Sequence, residues 1–159
     1  MDSNMASIQF YHLLTTPLER ALPKLMEKAV QSGKRSLILC ANEAQANALN
    51  ASLWTYDAGS FLPHGGSNDP YPDQQPVYLT HKQENPNAAT ILVVTDGSTL
   101  DALDGMEKLL DIFDGHDPQA VAAARSRWKQ YSNAGHEVSY IKQQKGGGWQ
   151  QEATTQPSS

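Results

Sequence analysis

The feature that most constrains this chain is a five-residue run, 36–40 (SLILC), held between the cations Lys34-Arg35 and the polar Asn42. So short an apolar run, bounded by charge and a turn former, reads as a strand buried in the centre of a sheet. Asn42 offers a side-chain oxygen that can cap the next helix, and Gln45 stands three residues on, as in a capping box. Ala46, Leu49 and Leu53 then recur at helical spacing and lay that helix, which ends at Trp54, on the strand. A strand followed directly by a helix packed on it is half of a βαβ unit, so a parallel sheet is expected. Residues 90–95 (TILVVT) repeat the strand pattern with a nearly continuous β-branched run, again the mark of burial on both faces.

The rest of the chain follows the same alternation. Residues 8–14 (IQFYHLL) read as a first strand. Thr16-Pro17-Leu18-Glu19 is a helix-start signature with Thr16 as cap and Pro17 at the first helical position. Pro23 either kinks this helix or marks where its regular part begins, and Gly33 stops it. Residues 65–75 are a loop by composition, and 77–80 a short strand that Pro76 places at an edge. Residues 106–113 (MEKLLDIF) fit helix or strand equally by periodicity. Asp117 caps a further helix with Pro118 at its first position; Val121, Ala124, Trp128 and Tyr131 share one face of it, and Gly135 ends it. Residues 136–141 (HEVSYI) alternate as a last strand. The expected architecture is α/β, a layered Rossmann-like fold with a mostly parallel central sheet flanked by helices. One domain is expected over residues 1–143, with a disordered low-complexity tail over 144–159.

Few catalytic patterns stand out. The chain has no GxxxxGK[ST] phosphate loop, its five histidines are scattered, and its one cysteine offers no zinc set, so neither cofactor nor metal is expected. Cys40 alone has an enzyme-like place, between a strand and a helix start, where a helix dipole lowers a thiol pKa. A small α/β enzyme with Cys40 as nucleophile is therefore one reading. The other reading of Cys40 is a small apolar residue ending a core strand, and no Gly-x-Cys-x-Gly elbow surrounds it. A single cysteine fits a reducing cytoplasm, and no apolar run approaches the roughly 20 residues of a membrane span. Charge is divided unevenly. Up to Ala124 there are 7 Lys+Arg against 15 Asp+Glu, and from Arg125 onward 5 against 2. An acidic body disfavours direct nucleic-acid binding, including stacking of single-stranded DNA on Trp54, Trp128 and Tyr131, while a local basic patch suits a small acidic partner.

Five segments taken in order resemble a known family: Ser32-Gly33-Lys34-Arg35 before a strand; Ala51-Ser52-Leu53-Trp54 ending a helix; Ser60-Phe61-Leu62-Pro63-His64; Arg125-Ser126-Arg127-Trp128-Lys129-Gln130-Tyr131; and Ala134-Gly135. Their order and spacing are similar to the chi subunit of bacterial DNA polymerase III. The resemblance implies a nucleotide-binding-like fold without nucleotide chemistry and a strand at 108–113. It implies a non-catalytic adaptor in the clamp-loader complex, touching nucleic acid only indirectly. Two partners are implied: the psi subunit, at Phe61, Leu62 and His64, and the acidic C-terminal tail of single-stranded-DNA-binding protein, which ends in a phenylalanine and its carboxylate. Capturing that end needs a guanidinium, an apolar slot and diffuse positive charge. Arg125 is the expected guanidinium, Trp128, Phe113 and Trp54 the slot walls, and Arg127 and Lys129 the added charge. The chain departs from the family pattern at 65–75, at 114–118 and in the glycine-rich tail.

Overall fold

The computed structural model describes residues 7–55, 65–66, 76–95, 106–146 and 148–155. The run at 36–40 forms β2, Ser36–Leu39, with all four residues buried. Asn42 caps α2, Glu43–Thr55, by accepting from the Gln45 N–H at 2.8 Å. Gln45 reaches back to the Ala41 N–H at 3.0 Å, so two otherwise unsatisfied donors are closed at this helix start.

Before β2 come β1, Ser7–Leu13, and α1, Leu18–Gln31. Pro17 rather than Thr16 takes the cap position, with no side-chain cap bond; its carbonyl receives the Arg20 and Ala21 N–H groups at 3.0 Å. The Thr16 hydroxyl is engaged elsewhere, accepting from Gln143 Nε2 at 2.7 Å. Pro23 lies inside α1 and the helix runs through it, so the regular helix does not begin there. The missing N–H forfeits one bond one turn in, and the ring is buried in return. Gly33, at φ +80°, closes α1 by a Schellman pair: its N–H donates to Val30 O at 3.0 Å and that of Lys34 to Ala29 O at 3.2 Å.

After α2 come β3, Gly65–Gly66, β4, Val77–Thr80, β5, Ile91–Val94, and β6, Lys108–Asp114. The segment that periodicity left ambiguous is thus a strand, as the resemblance implied. In β6 Leu110 and Ile112 enter one core, Leu109 and Phe113 the other, and parallel neighbours flank both sides. Then follow α3, Pro118–Asn133, β7, Glu137–Gln143, and β8, Trp149–Thr155. Asp117 caps α3 as read, accepting from the Gln119 N–H at 3.0 Å.

The sheet order is β3-β4-β2-β5-β6-β1-β7-β8, parallel throughout except for the last pair. β4 is therefore not an edge strand among the described residues; Pro76 joins the ladder through its carbonyl, which accepts from the Ser36 N–H at 2.8 Å. α1 and α2 cover one face, over Ile38, Leu79, Val93 and Ile112. α3 covers the other, where Val121, Ala124, Trp128 and Tyr131 meet Phe10, Phe113 and Val138. The stripe read from α3 is the one that packs.

Residues 149–155 read from composition as part of a tail. In the structure they pair antiparallel with β7, with a bulge between Tyr140 and Ile141. Strand pairing is satisfied by backbone groups whatever the side chains, and Trp149 adds an edge-on contact with Tyr11, ring centres 5.2 Å apart.

Candidate functional site

The two faces of the sheet are served from adjacent strands. β1 leads through 14–17 to α1 on one face, and β6 leads through 115–117 to α3 on the other. Where neighbouring parallel strands send their chains to opposite faces, their carboxyl ends leave a crevice. A cavity of about 480 Å³ lies there, walled by Leu13, Leu18, Ile112, Phe113, Asp114 and His116.

The β1–α1 turn aims three successive N–H groups at one point. Those of Leu14, Thr15 and Thr16 donate to Gln143 Oε1 at 3.0, 2.9 and 3.0 Å. A turn of this kind ahead of a helix is where α/β proteins commonly hold a phosphate. Here a buried neutral amide from the end of β7 fills it. Sequence reasoning missed Gln143, which sits in a polar run with no periodic or motif signal. Gln143→Ala should lower stability by about 1–3 kcal/mol, the cost of leaving such donors unmet. A shift in the urea midpoint at unchanged slope is the measurement that checks it.

Beside the crevice stands an aromatic cluster. Phe10 lies 6.0 Å from Trp128 and 6.2 Å from Tyr131, and Trp128 lies 6.0 Å from Tyr140. Phe113 meets Phe10 edge-on at 6.5 Å and approaches Tyr140 at 6.1 Å. His12 packs edge-on against Phe113 at 5.1 Å, and its Nδ1 is hydrogen bonded to the Tyr140 hydroxyl. Gly115 passes so close that a Cβ there would fall 2.1 Å from His12 Nε2, so only glycine fits without displacing the ring. Burial, then the charges of Lys142, His116 and Arg125, hold the His12 pKa below its ordinary value, with Asp114 acting weakly the other way. Folded-state protonation is therefore disfavoured, and this histidine withdraws stability as pH falls below its unfolded pKa.

The expected binding residues divide. Arg125 and Lys129 are exposed on α3, and Trp128 is half-buried on the core stripe. Phe113 is buried and walls the cavity. Arg127 does not present a bare charge: its Nε and Nη2 donate to the two oxygens of Asp111 at 2.6 and 2.9 Å. The signal was Asp111 itself, a carboxylate amid an apolar strand run that required a partner. α2, which carries Trp54, packs on the face opposite α3 and toward β3 and β4, and the Trp54 side chain, like Phe61, Leu62 and His64, lies outside the described residues. Cys40 is 2% exposed, within the core that α1 and α2 cover. A thiol closed off in this way is not placed to attack a substrate.

Residues 5–139 match the sequence model of the family described as DNA polymerase III chi subunit, HolC. The chain belongs to that family. It is similar to the probable DNA polymerase III subunit chi of Rickettsia prowazekii (strain Madrid E), 33% identical over 69% of this chain and 66% of that protein. It is also similar to DNA polymerase III subunit chi of Escherichia coli (strain K12), 29% identical over 74% of this chain and 80% of that one. The corresponding figures for the Haemophilus influenzae subunit chi are 28%, 82% and 93%. The chi-family match includes β1, α3 and the start of β7 and stops short of Gln143 and β8. The amide that fills the β1–α1 turn thus comes from beyond the segment recognised as chi-like.

Proposed function

We propose that this chi-family chain is a cytoplasmic, non-catalytic adaptor of the DNA polymerase III clamp-loader complex. It binds the acidic C-terminal tail of single-stranded-DNA-binding protein and pairs with the psi subunit. The observation that carries the tail site is the placement of Arg125. Arg125 is exposed on α3, one turn from Trp128, which is half-buried and packs on the same core as Phe113. A guanidinium close to half-buried aromatic surface suits a terminal carboxylate whose own side chain is aromatic. Lys129 adds charge on the same helix, while Arg127 serves to hold Asp111.

Pairing with psi is proposed through Phe61, Leu62 and His64, on the family resemblance of that loop. Among the described residues no helix is long and apolar enough to cross a membrane, and no group of three or more metal-ligating side chains occurs. A pull-down from bacterial lysate tests the adaptor reading. Single-stranded-DNA-binding protein should be captured by the full chain and released by an acidic tail peptide. Capture that the peptide leaves unchanged would count against the tail site.

A further inference from the structure

The crevice at the carboxyl ends of β1 and β6 encloses about 480 Å³, within the range of small-molecule sites. Buried Leu13, Ile112 and Phe113 and half-buried Leu18 form its apolar wall. The two turns that border it have already spent their donors. The N–H groups of Leu14, Thr15 and Thr16 go to Gln143 Oε1. That of Gly115 donates to Leu13 O at 2.8 Å, that of His116 to Asp114 Oδ1 at 2.9 Å, and that of Asp117 to Asp114 O at 3.2 Å. Pro17 and Pro118, which follow the two turns, carry no N–H. The His116 ring donates from Nε2 to Leu14 O, because a carbonyl only accepts. With its proton on Nε2, the neutral imidazole keeps Nδ1 as an acceptor. The Asp114 carboxylate is exposed on the crevice wall and enters no ion pair among the described residues. No Lys or Arg is among the described residues that wall the crevice. The start of α1 contributes about half a positive charge, and Asp117 already caps α3, so the full charge of Asp114 sets the sign.

We propose that this crevice binds a small amine, a molecule with an ammonium group for Asp114 and a compact aromatic body for the wall of Leu13, Leu18 and Ile112. An ammonium carries donors and no acceptor, which matches a rim left with a carboxylate and an imidazole nitrogen. A phosphate or carboxylate meets the opposite: the N–H groups of both turns are taken, and Asp114 repels it. Gln143 is what turns the site away from anions, because its amide oxygen fills the position that a phosphate takes in related turns. The site is separate from capture at Arg125 and does not rest on it. Exchanging the ammonium of a ligand for a carboxylate is expected to weaken binding by about tenfold or more, the factor that one charge-assisted hydrogen bond carries.

The test follows the amide resonances of the isotope-labelled full chain by NMR during titration with phenethylamine, and in parallel with phenylpropanoate, which places a carboxylate on the same ring and stem. Phenethylamine should shift the resonances of residues 13–18 and 112–116 saturably, with a dissociation constant of about 1 mM, the scale open to so small a ligand. Phenylpropanoate should bind there at least about tenfold more weakly, and Asp114→Asn should weaken the amine by a similar factor. Asparagine keeps an oxygen for the His116 N–H, so this variant removes the charge and retains the turn. Equal binding of the two probes, or amine binding unchanged in Asp114→Asn, would overturn the proposal. So would the absence of a saturable shift at these residues up to about 10 mM amine. Acetyl-lysine amide, with its side-chain ammonium free, presents the same cation as a protein side chain would. Tighter binding of this probe than of phenethylamine would overturn the small-molecule reading. Displacement of phenethylamine by an acidic peptide ending in phenylalanine would place that peptide in the crevice and overturn the separate site, whereas a peptide that binds without displacing the amine supports it.

Discussion

Replacing Arg127 with alanine is expected to destabilise the chain by about 3–5 kcal/mol, the scale seen when one partner of a buried ion pair is removed. Asp111 is fully buried, and the Arg127 side chain is 16% exposed. The two are joined by a bidentate pair of bonds at 2.6 and 2.9 Å. Without the guanidinium, a carboxylate is left on β6 beneath α3 with its principal compensation gone. The cost comes from that stranded charge more than from the net worth of the pair. Replacing both residues together, Asp111→Leu with Arg127→Met, should therefore cost much less than Arg127→Ala alone. Guanidinium unfolding of the three variants checks this, and a single variant within about 1 kcal/mol of wild type would contradict it. The Lys34–Glu107 pair makes a useful contrast. At 2.8 Å it is as close, but its side chains are 46% and 54% exposed, and removing it should change stability little.

Elements whose signals are local were legible. Residues 36–39 and 91–94 are buried strands because runs of that length and composition have little other use, and the caps at Asn42 and Asp117 work within three residues of themselves. Gly33 and Gly135 stop their helices at positive φ for the same local reason. What failed was what depends on distant parts of the chain. Thr16 gives up its cap because Gln143 claims its hydroxyl, 127 residues away. β8 forms through backbone pairing that its polar composition does not advertise. Which face of the sheet a helix covers is set by connection handedness and strand order, which residue type does not report. Phe113 and Trp128 reach one core because β6 leads through a short turn into α3.

Arg125 is proposed to receive the terminal carboxylate of an acidic, phenylalanine-ended tail. Arg125 is exposed and lies three residues before Trp128, on a helix whose buried stripe holds the other side. Its removal should leave the fold intact, since surface substitutions of this kind usually shift stability by less than about 0.5 kcal/mol. Binding should weaken by about 1.5–3 kcal/mol, the scale of a hydrogen bond to a charged group. Added salt should weaken binding without abolishing it, because the charge on the helix is screened and burial of the ring is not. Isothermal titration calorimetry of the full chain with the tail peptide measures all of this in one series. Wild type should bind saturably, Arg125→Ala should bind more weakly by that amount, and removing the peptide's final phenylalanine should abolish binding. An Arg125→Ala chain that binds the peptide as tightly as wild type would contradict this role for Arg125.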